Sequence, residues 1–192
     1  MRVCAPSFTP SRCPLPIRRG LRAVERAGAA RGLFAVGALA YEAAPAFDPA
    51  LAVRPSAGPF PLLWFGLFNP PRPAALPAPS APEAADWQAS VTPEGYRAAF
   101  DRIKRHIREG DVYQVDLTYR LRSAIGGRRS EIGGPSDLRL FSRLVAAQRA
   151  TYGAFLAAPG WTLCSASPEL FFSLDGTRLE SRPMKGTAPR GL

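Results

Sequence analysis

The stretch TPEGYRAAFDRIKRHIREGDVYQVDLTYRL, residues 92–121, carries a helix signal and a strand signal back to back. Thr92-Pro93-Glu94 opens the helix: a hydroxyl at the N-cap, a proline whose fixed φ suits the first helical position, and an acid near the positive end of the helix dipole. Tyr96, Phe100, Ile103 and Ile107 recur at spacings of four, three and four, which predicts one buried helical face. Gly110 stands where a helix end wants a left-handed residue. Beyond it Tyr113, Val115, Leu117, Tyr119 and Leu121 alternate with Gln114, Asp116, Thr118 and Arg120. Period two predicts a strand with one apolar and one polar face. The polar face is either simply wet or the lining of a cleft, and periodicity does not choose. His106, the one histidine, falls off the apolar face, which predicts an exposed and uninvolved side chain.

Toward the C-terminus, Ser123 to Pro135 is glycine-rich but lacks the spacing of a phosphate-cradling loop, and reads as a solvent loop. Ser136 or Asp137 can cap a helix whose apolar face is Leu138, Phe141, Leu144 and Val145. Strands are expected over about 151–157 and 161–167. Asp175-Gly176 then sits between two strand-like runs, Glu169–Leu174 and Thr177–Arg182, a strong hairpin signal. With Asp175 and Gly176 as the loop, Leu174 faces Thr177 and Glu169 faces Arg182. Glu169 and Lys185 are sixteen residues apart, roughly 50 Å if extended, and the hairpin returns both to one open end. An ion pair between Glu169 and Arg182 is one outcome of that register.

Toward the N-terminus, residues 69–86 hold Pro70, Pro71, Pro73, Pro77, Pro79 and Pro82. Proline fixes φ and removes donors, so this segment reads as a linker. It divides an N-terminal region, 1–85, from a second region, 86–192. Within the first, residues 21–31 read as a helix, and Leu33–Tyr41 and Phe60–Phe68 as strands.

Composition bounds the function. The chain has 192 residues, 46% of them hydrophobic and 10% aromatic, which excludes a disordered chain. No run of eighteen uncharged apolar residues exists, which excludes a membrane-spanning helix. Cys4, Cys13 and Cys164 are an odd number without metal or redox spacing, so a reducing cytoplasm is the expected setting. The net charge of +10 admits a nucleic-acid partner, an anionic substrate, or plain compositional bias toward arginine. The basic residues are scattered rather than gathered on one stripe, which favours the last and leaves no nucleic-acid or membrane partner expected. Five arginines precede the first acid, Glu25, but Pro6, Pro10, Pro14 and Pro16 spoil an amphipathic leader helix.

Three blocks in order resemble the chorismate-utilising enzymes: Gly110-Asp-Val-Tyr-Gln-Val-Asp-Leu-Thr118, Ala166-Ser-Pro-Glu-Leu-Phe-Phe172 and Arg182-Pro-Met-Lys-Gly-Thr-Ala-Pro-Arg-Gly191. Leu33 to Asp48 is similar to the N-terminal region of the same proteins. The resemblance implies an α+β fold, the N-terminal part of the anthranilate synthase component I-like architecture, with antiparallel sheets flanked by helices. Lys185 in Pro183-Met184-Lys185-Gly186-Thr187 resembles the aminodeoxychorismate synthase component I branch; the anthranilate synthase branch usually has alanine there. Gln114 stands where isochorismate-forming relatives carry a lysine that activates water, and a glutamine suits ammonia as the incoming group.

The chemistry implied is amination of chorismate to 4-amino-4-deoxychorismate, toward p-aminobenzoate and folate. Expelling a ring hydroxyl requires a proton, and the resemblance assigns the donor to Glu169, whose carboxyl must stay protonated near neutrality. Lys185 resembles the nucleophile. Only a neutral amine attacks, and removing its proton at pH 7 costs about 4.6 kcal/mol, so a nearby cation such as Arg182 or Arg190 is expected to help. Gly186 and Thr187 are expected to meet a substrate carboxylate through backbone N–H groups and a hydroxyl, and Gln114 and Arg182 complete the substrate-binding set that the resemblance implies. Asp116 departs from the usual asparagine and takes no role. The family uses Mg²⁺, whose acidic ligands are expected beyond this chain, and a glutamine amidotransferase subunit as ammonia source. These residues are expected to be an N-terminal fragment, inactive alone, with exposed apolar edges. Anthranilate synthase component I is the runner-up within the enzyme class, and a basic nucleic-acid-binding protein is the alternative from another class.

Overall fold

The computed structural model describes residues 3–4, 15–54, 60–79, 86–124 and 133–184. The chain divides into two compact units, one of Met1–Pro79 with Ile132–Leu192 and the other of Ser80–Glu131. Helices and small antiparallel sheets make up both, as an α+β chain requires. No helix among the described residues is long and apolar enough to cross a membrane.

In the first unit, β1 (Val3–Cys4), β3 (Leu63–Phe68) and β2 (Phe34–Leu39) form an antiparallel sheet in that order. Helix α1 (Leu15–Arg31) lies along β2 and β3. It begins six residues before the expected start, and a proline is tolerated in a helix's first turn because the N–H groups there have no intrahelical partner. Gly20 makes the close approach possible: a Cβ there would stand 2.7 Å from the Leu63 side chain. After β2 the chain turns into a 3₁₀ helix, Tyr41–Ala46, so the expected strand ends short of Tyr41. Ile17, Ala43 and Ala46 are buried together, with Leu21 and Leu62 packed on them.

The same unit contains α3 (Pro135–Gln148) against the hairpin of β6 (Tyr152–Ala158) and β7 (Trp161–Ser167). Phe141 is buried and its ring meets Phe155 at 5.6 Å. Trp161, at the start of β7, takes the edges of Phe60 and Trp64 at 4.8 and 5.3 Å, joining this hairpin to the first sheet. The cap of α3 corrects the sequence reading. Gly134 is the N-cap and offers no side chain, while Asp137, one turn in, reaches back to the Gly133 N–H at 2.8 Å.

The last hairpin, β8 (Leu170–Asp175) and β9 (Arg178–Arg182), also departs in register. Asp175 faces Arg178 and Leu174 faces Leu179, so Gly176 and Thr177 are the loop. Gly176 has φ +58°, the left-handed backbone that a type II′ turn asks of its first central residue. An irregularity between Leu170 and Ser173 shifts the ladder again, and Leu170, not Glu169, faces Arg182.

In the second unit, α2 (Pro93–Glu109) forms as read. Thr92 Oγ accepts the Gly95 N–H at 3.1 Å, and Gly110 takes φ +82° and donates to the helix's last carbonyls. The apolar stripe forms too, but it is not buried: Phe100 is 46% exposed, and no residue of α2 is fully covered. The expected strand from Tyr113 to Leu121 shrinks to β5 (Leu121–Arg122), paired with β4 (Gln88–Ala89). Alternation gives a segment two faces but no hydrogen-bonding partner, and among the described residues none pairs with 113–119.

Candidate active site

The site is built where three strands run out. Strand β7 ends at Ser167, which faces Tyr152 across the ladder; Pro168 cannot donate to a ladder, and Glu169 follows before β8 begins. The Ser167 hydroxyl holds this corner from both sides. It accepts the Glu169 N–H at 3.2 Å and donates to the Glu169 carbonyl at 2.9 Å. Hydroxyl turns of this kind occur where a strand gives way to a bend.

From that corner the Glu169 side chain crosses to the end of β9. Its Oε1 accepts the backbone N–H of Met184 at 3.1 Å. The carboxyl therefore touches the backbone of the residue that precedes Lys185 in the sequence. The ion pair between Glu169 and Arg182 does not form. The Arg182 guanidinium is taken by Glu180, two residues back on the same face of β9, with Nε to Oε1 at 2.5 Å. Glu180 first, then Tyr152 through charge and a hydrogen bond, push the Arg182 pKa further up, so this group stays a cation.

Lys185, Gly186, Thr187 and Arg190 lie outside the described residues. Gln114 belongs to the second unit. Its side-chain amide donates to Asp116 Oδ1 at 3.5 Å, the long limit for such a bond, and both side chains are exposed. Asp116, read without a role, is thus the neighbour of the glutamine it follows.

His106 differs from expectation: its Nδ1 meets Asp111 Oδ2 at 2.8 Å, around the Gly110 turn. With Glu109 these are the described residues whose ligand atoms cluster closely enough for a cation, within 4.8 Å of one another. The donor set does not suit Mg²⁺, which takes oxygen ligands in a near-ideal octahedron and is served poorly by an imidazole already bonded to one of the carboxylates.

Three groups escaped the sequence reading: the Ser167 hydroxyl, the Met184 N–H and the Tyr152 phenol. The first left a signal in Ser167-Pro168-Glu169, since serine before proline favours a turn that its own hydroxyl can close. The other two depend on register and left none.

Comparison with known proteins now bears on this geometry. Residues 70–192 match the family model described as chorismate binding enzyme. Aminodeoxychorismate synthase component 1 of Escherichia coli (strain K12) is 34% identical over 106 residues, covering 55% of this chain and 22% of that protein. Its counterpart in Bacillus subtilis (strain 168) is 32% identical over 120 residues, 62% of this chain and 24% of the relative. Anthranilate synthase component 1 1 of Haloarcula marismortui is 34% identical over 119 residues, 62% of this chain and 23% of the relative. The matched stretch is thus about a quarter of each relative or less. No solved structure matches.

Proposed function

We propose, since the chain belongs to the chorismate-binding enzyme family, that it carries the proton donor and the nucleophile of an aminodeoxychorismate synthase component 1. The observation that carries the proposal is Lys185 inside Pro183-Met184-Lys185-Gly186-Thr187. The Glu169 carboxyl, bonded to the Met184 N–H at 3.1 Å, supports it by putting an acid against the backbone next to that lysine.

In this reading the neutral Lys185 amine forms a bond to a ring carbon of chorismate as the ring hydroxyl departs. Glu169 gives the hydroxyl its proton, so water leaves rather than hydroxide. Ammonia, from a glutamine amidotransferase partner, then bonds to the ring and the lysine amine is released. The new ammonium gives its spare proton back to Glu169. Chorismate and ammonia become 4-amino-4-deoxychorismate and water, and both side chains return to their starting state. Gln114 offers no base to activate water in ammonia's place. Gly186, Thr187 and Arg182 are the groups proposed to meet the substrate's carboxylates.

The test is a chimera in which the E. coli relative's aligned stretch is replaced by this chain's residues. Supplied with chorismate, ammonia and Mg²⁺, it is expected to form aminodeoxychorismate without releasing pyruvate, while residues 1–192 alone form none. Lys185→Met is expected to lower the rate at least about a hundredfold, as loss of a covalent step does. Turnover undiminished by that change sinks the assignment. Anthranilate with pyruvate instead supports the second reading, an anthranilate synthase component 1, since this chain is as similar to the Haloarcula relative as to the E. coli one, at 34% identity each.

A further inference from the structure

We propose that Ser167 is a positioning residue for the Glu169 carboxyl, an inference that rests on the proton-donor reading above. A protonated carboxyl has one O–H donor and one carbonyl oxygen to accept with. The Met184 N–H occupies Oε1. The proton is therefore left to Oε2, the oxygen free to face a leaving group. That division of labour holds only while the glutamate's long side chain stays aimed at Met184, although the residue is exposed.

Freedom at this position is large: several rotatable bonds lead from the Glu169 backbone to its carboxyl, and ordering them is opposed by entropy. Pro168 supplies no donor to the ladder, and the next regular pair, Leu170 with Arg182, comes before an irregularity. The Ser167 hydroxyl helps to fix the Glu169 backbone, bonding its N–H and its carbonyl together at 3.2 and 2.9 Å. Ser167 is itself held by the ladder opposite Tyr152, whose phenol reaches Arg182. Orientation thus passes from the β6–β7 hairpin, through one hydroxyl, to the acid. Ser167 touches no reacting atom.

Two measurements test this. In the 192-residue chain, Glu169→Gln is expected to move the Met184 amide proton resonance, because the acceptor of its hydrogen bond changes from a carboxyl to an amide oxygen. In a Ser167→Ala background the same substitution is expected to move it by less than about a third as much, and in a Ser167→Thr background, which keeps the hydroxyl, by the full amount. The Phe155 and Cys164 amides report that the ladder is intact. Should the alanine variant lose them, Ser167→Cys, nearly isosteric but a weak donor, is expected to show the same loss of the Met184 response. In the chimera, Ser167→Ala is expected to lower kcat about tenfold and shift its pH profile, with KM for chorismate within about twofold and recovery in Ser167→Thr. A full Met184 response to Glu169→Gln in both the Ser167→Ala and the Ser167→Cys background overturns the proposal. So does a chimera whose kcat and pH profile ignore Ser167→Ala. A parent chimera that forms no aminodeoxychorismate overturns the functional reading instead, and the Met184 response to Glu169→Gln still decides whether Ser167 aims the carboxyl.

Discussion

At the scale of single residues, environment separates groups that the sequence lists as equals. Arg182 is one of many arginines, yet Glu180 and Tyr152 engage it at the end of β9. Cys164 is one of three cysteines, and its thiol is half-covered beside α3, with Sγ 3.9 Å from the Asp137 carbonyl. Burial first, and the Asp137 charge second, raise its pKa above the ordinary thiol value. The sign is direct: a raised thiol pKa means less thiolate at any given pH, and only the thiolate is alkylated. Cys164 is therefore expected to react with iodoacetamide more slowly than an unstructured cysteine peptide at pH 8.5, and its rate to climb at higher pH than the peptide's. Asp137→Asn is expected to recover the smaller part of the lag, since burial remains. Site-resolved mass spectrometry gives both rates, and equal rates for chain and peptide refute the account.

At the scale of elements, local chemistry was legible and pairing was not. The start and stop of α2 rest on Thr92, Pro93 and Gly110 alone, and each acts within one helical turn. The hairpin at Asp175-Gly176 was legible as a hairpin, but its register depends on which loop position the glycine fills. A left-handed residue serves type I′ and type II′ turns at different places, so the dipeptide leaves the ladder free to slip. That slip removed the Glu169–Arg182 pair and gave Glu169 the Met184 N–H instead. Asp137 teaches the same lesson in α3. It looked like a cap, but its carboxylate binds the Gly133 N–H at 2.8 Å and the Thr162 hydroxyl at 2.7 Å, tying the helix start to β7. Asp137→Ala strands two partly buried donors, and is expected to lower the free energy of unfolding by about 1–3 kcal/mol. Thr162→Val removes one of those bonds and should cost about 1 kcal/mol. Because the bonds share one acceptor, the double variant is expected to fall short of the sum; strict additivity in urea denaturation argues against a shared node.

At the scale of the whole molecule, the striped face of α2 was legible in full, yet nothing in a periodicity names what covers it. Tyr96 meets the Tyr119 ring edge-on at 5.8 Å, and in the same unit Phe100, Tyr113, Val115 and Leu121 are all more than a third exposed. An apolar surface of this kind on a monomer favours association, while the net charge of +10 opposes it. The balance makes a signed prediction. Salt screens the repulsion between like-charged copies within about 10 Å at 0.1 M, and leaves apolar attraction in place. Sedimentation is therefore expected to show more self-association at 0.5 M than at 0.05 M sodium chloride. A complex held by phosphate contacts behaves oppositely and weakens steeply as salt rises. Phe100→Gln is expected to shift the onset of association to higher concentration while changing stability by no more than about 0.5 kcal/mol, the usual range for an exposed position. Association that weakens with salt, or that ignores the substitution, would move the driving force from this apolar face to the chain's charges.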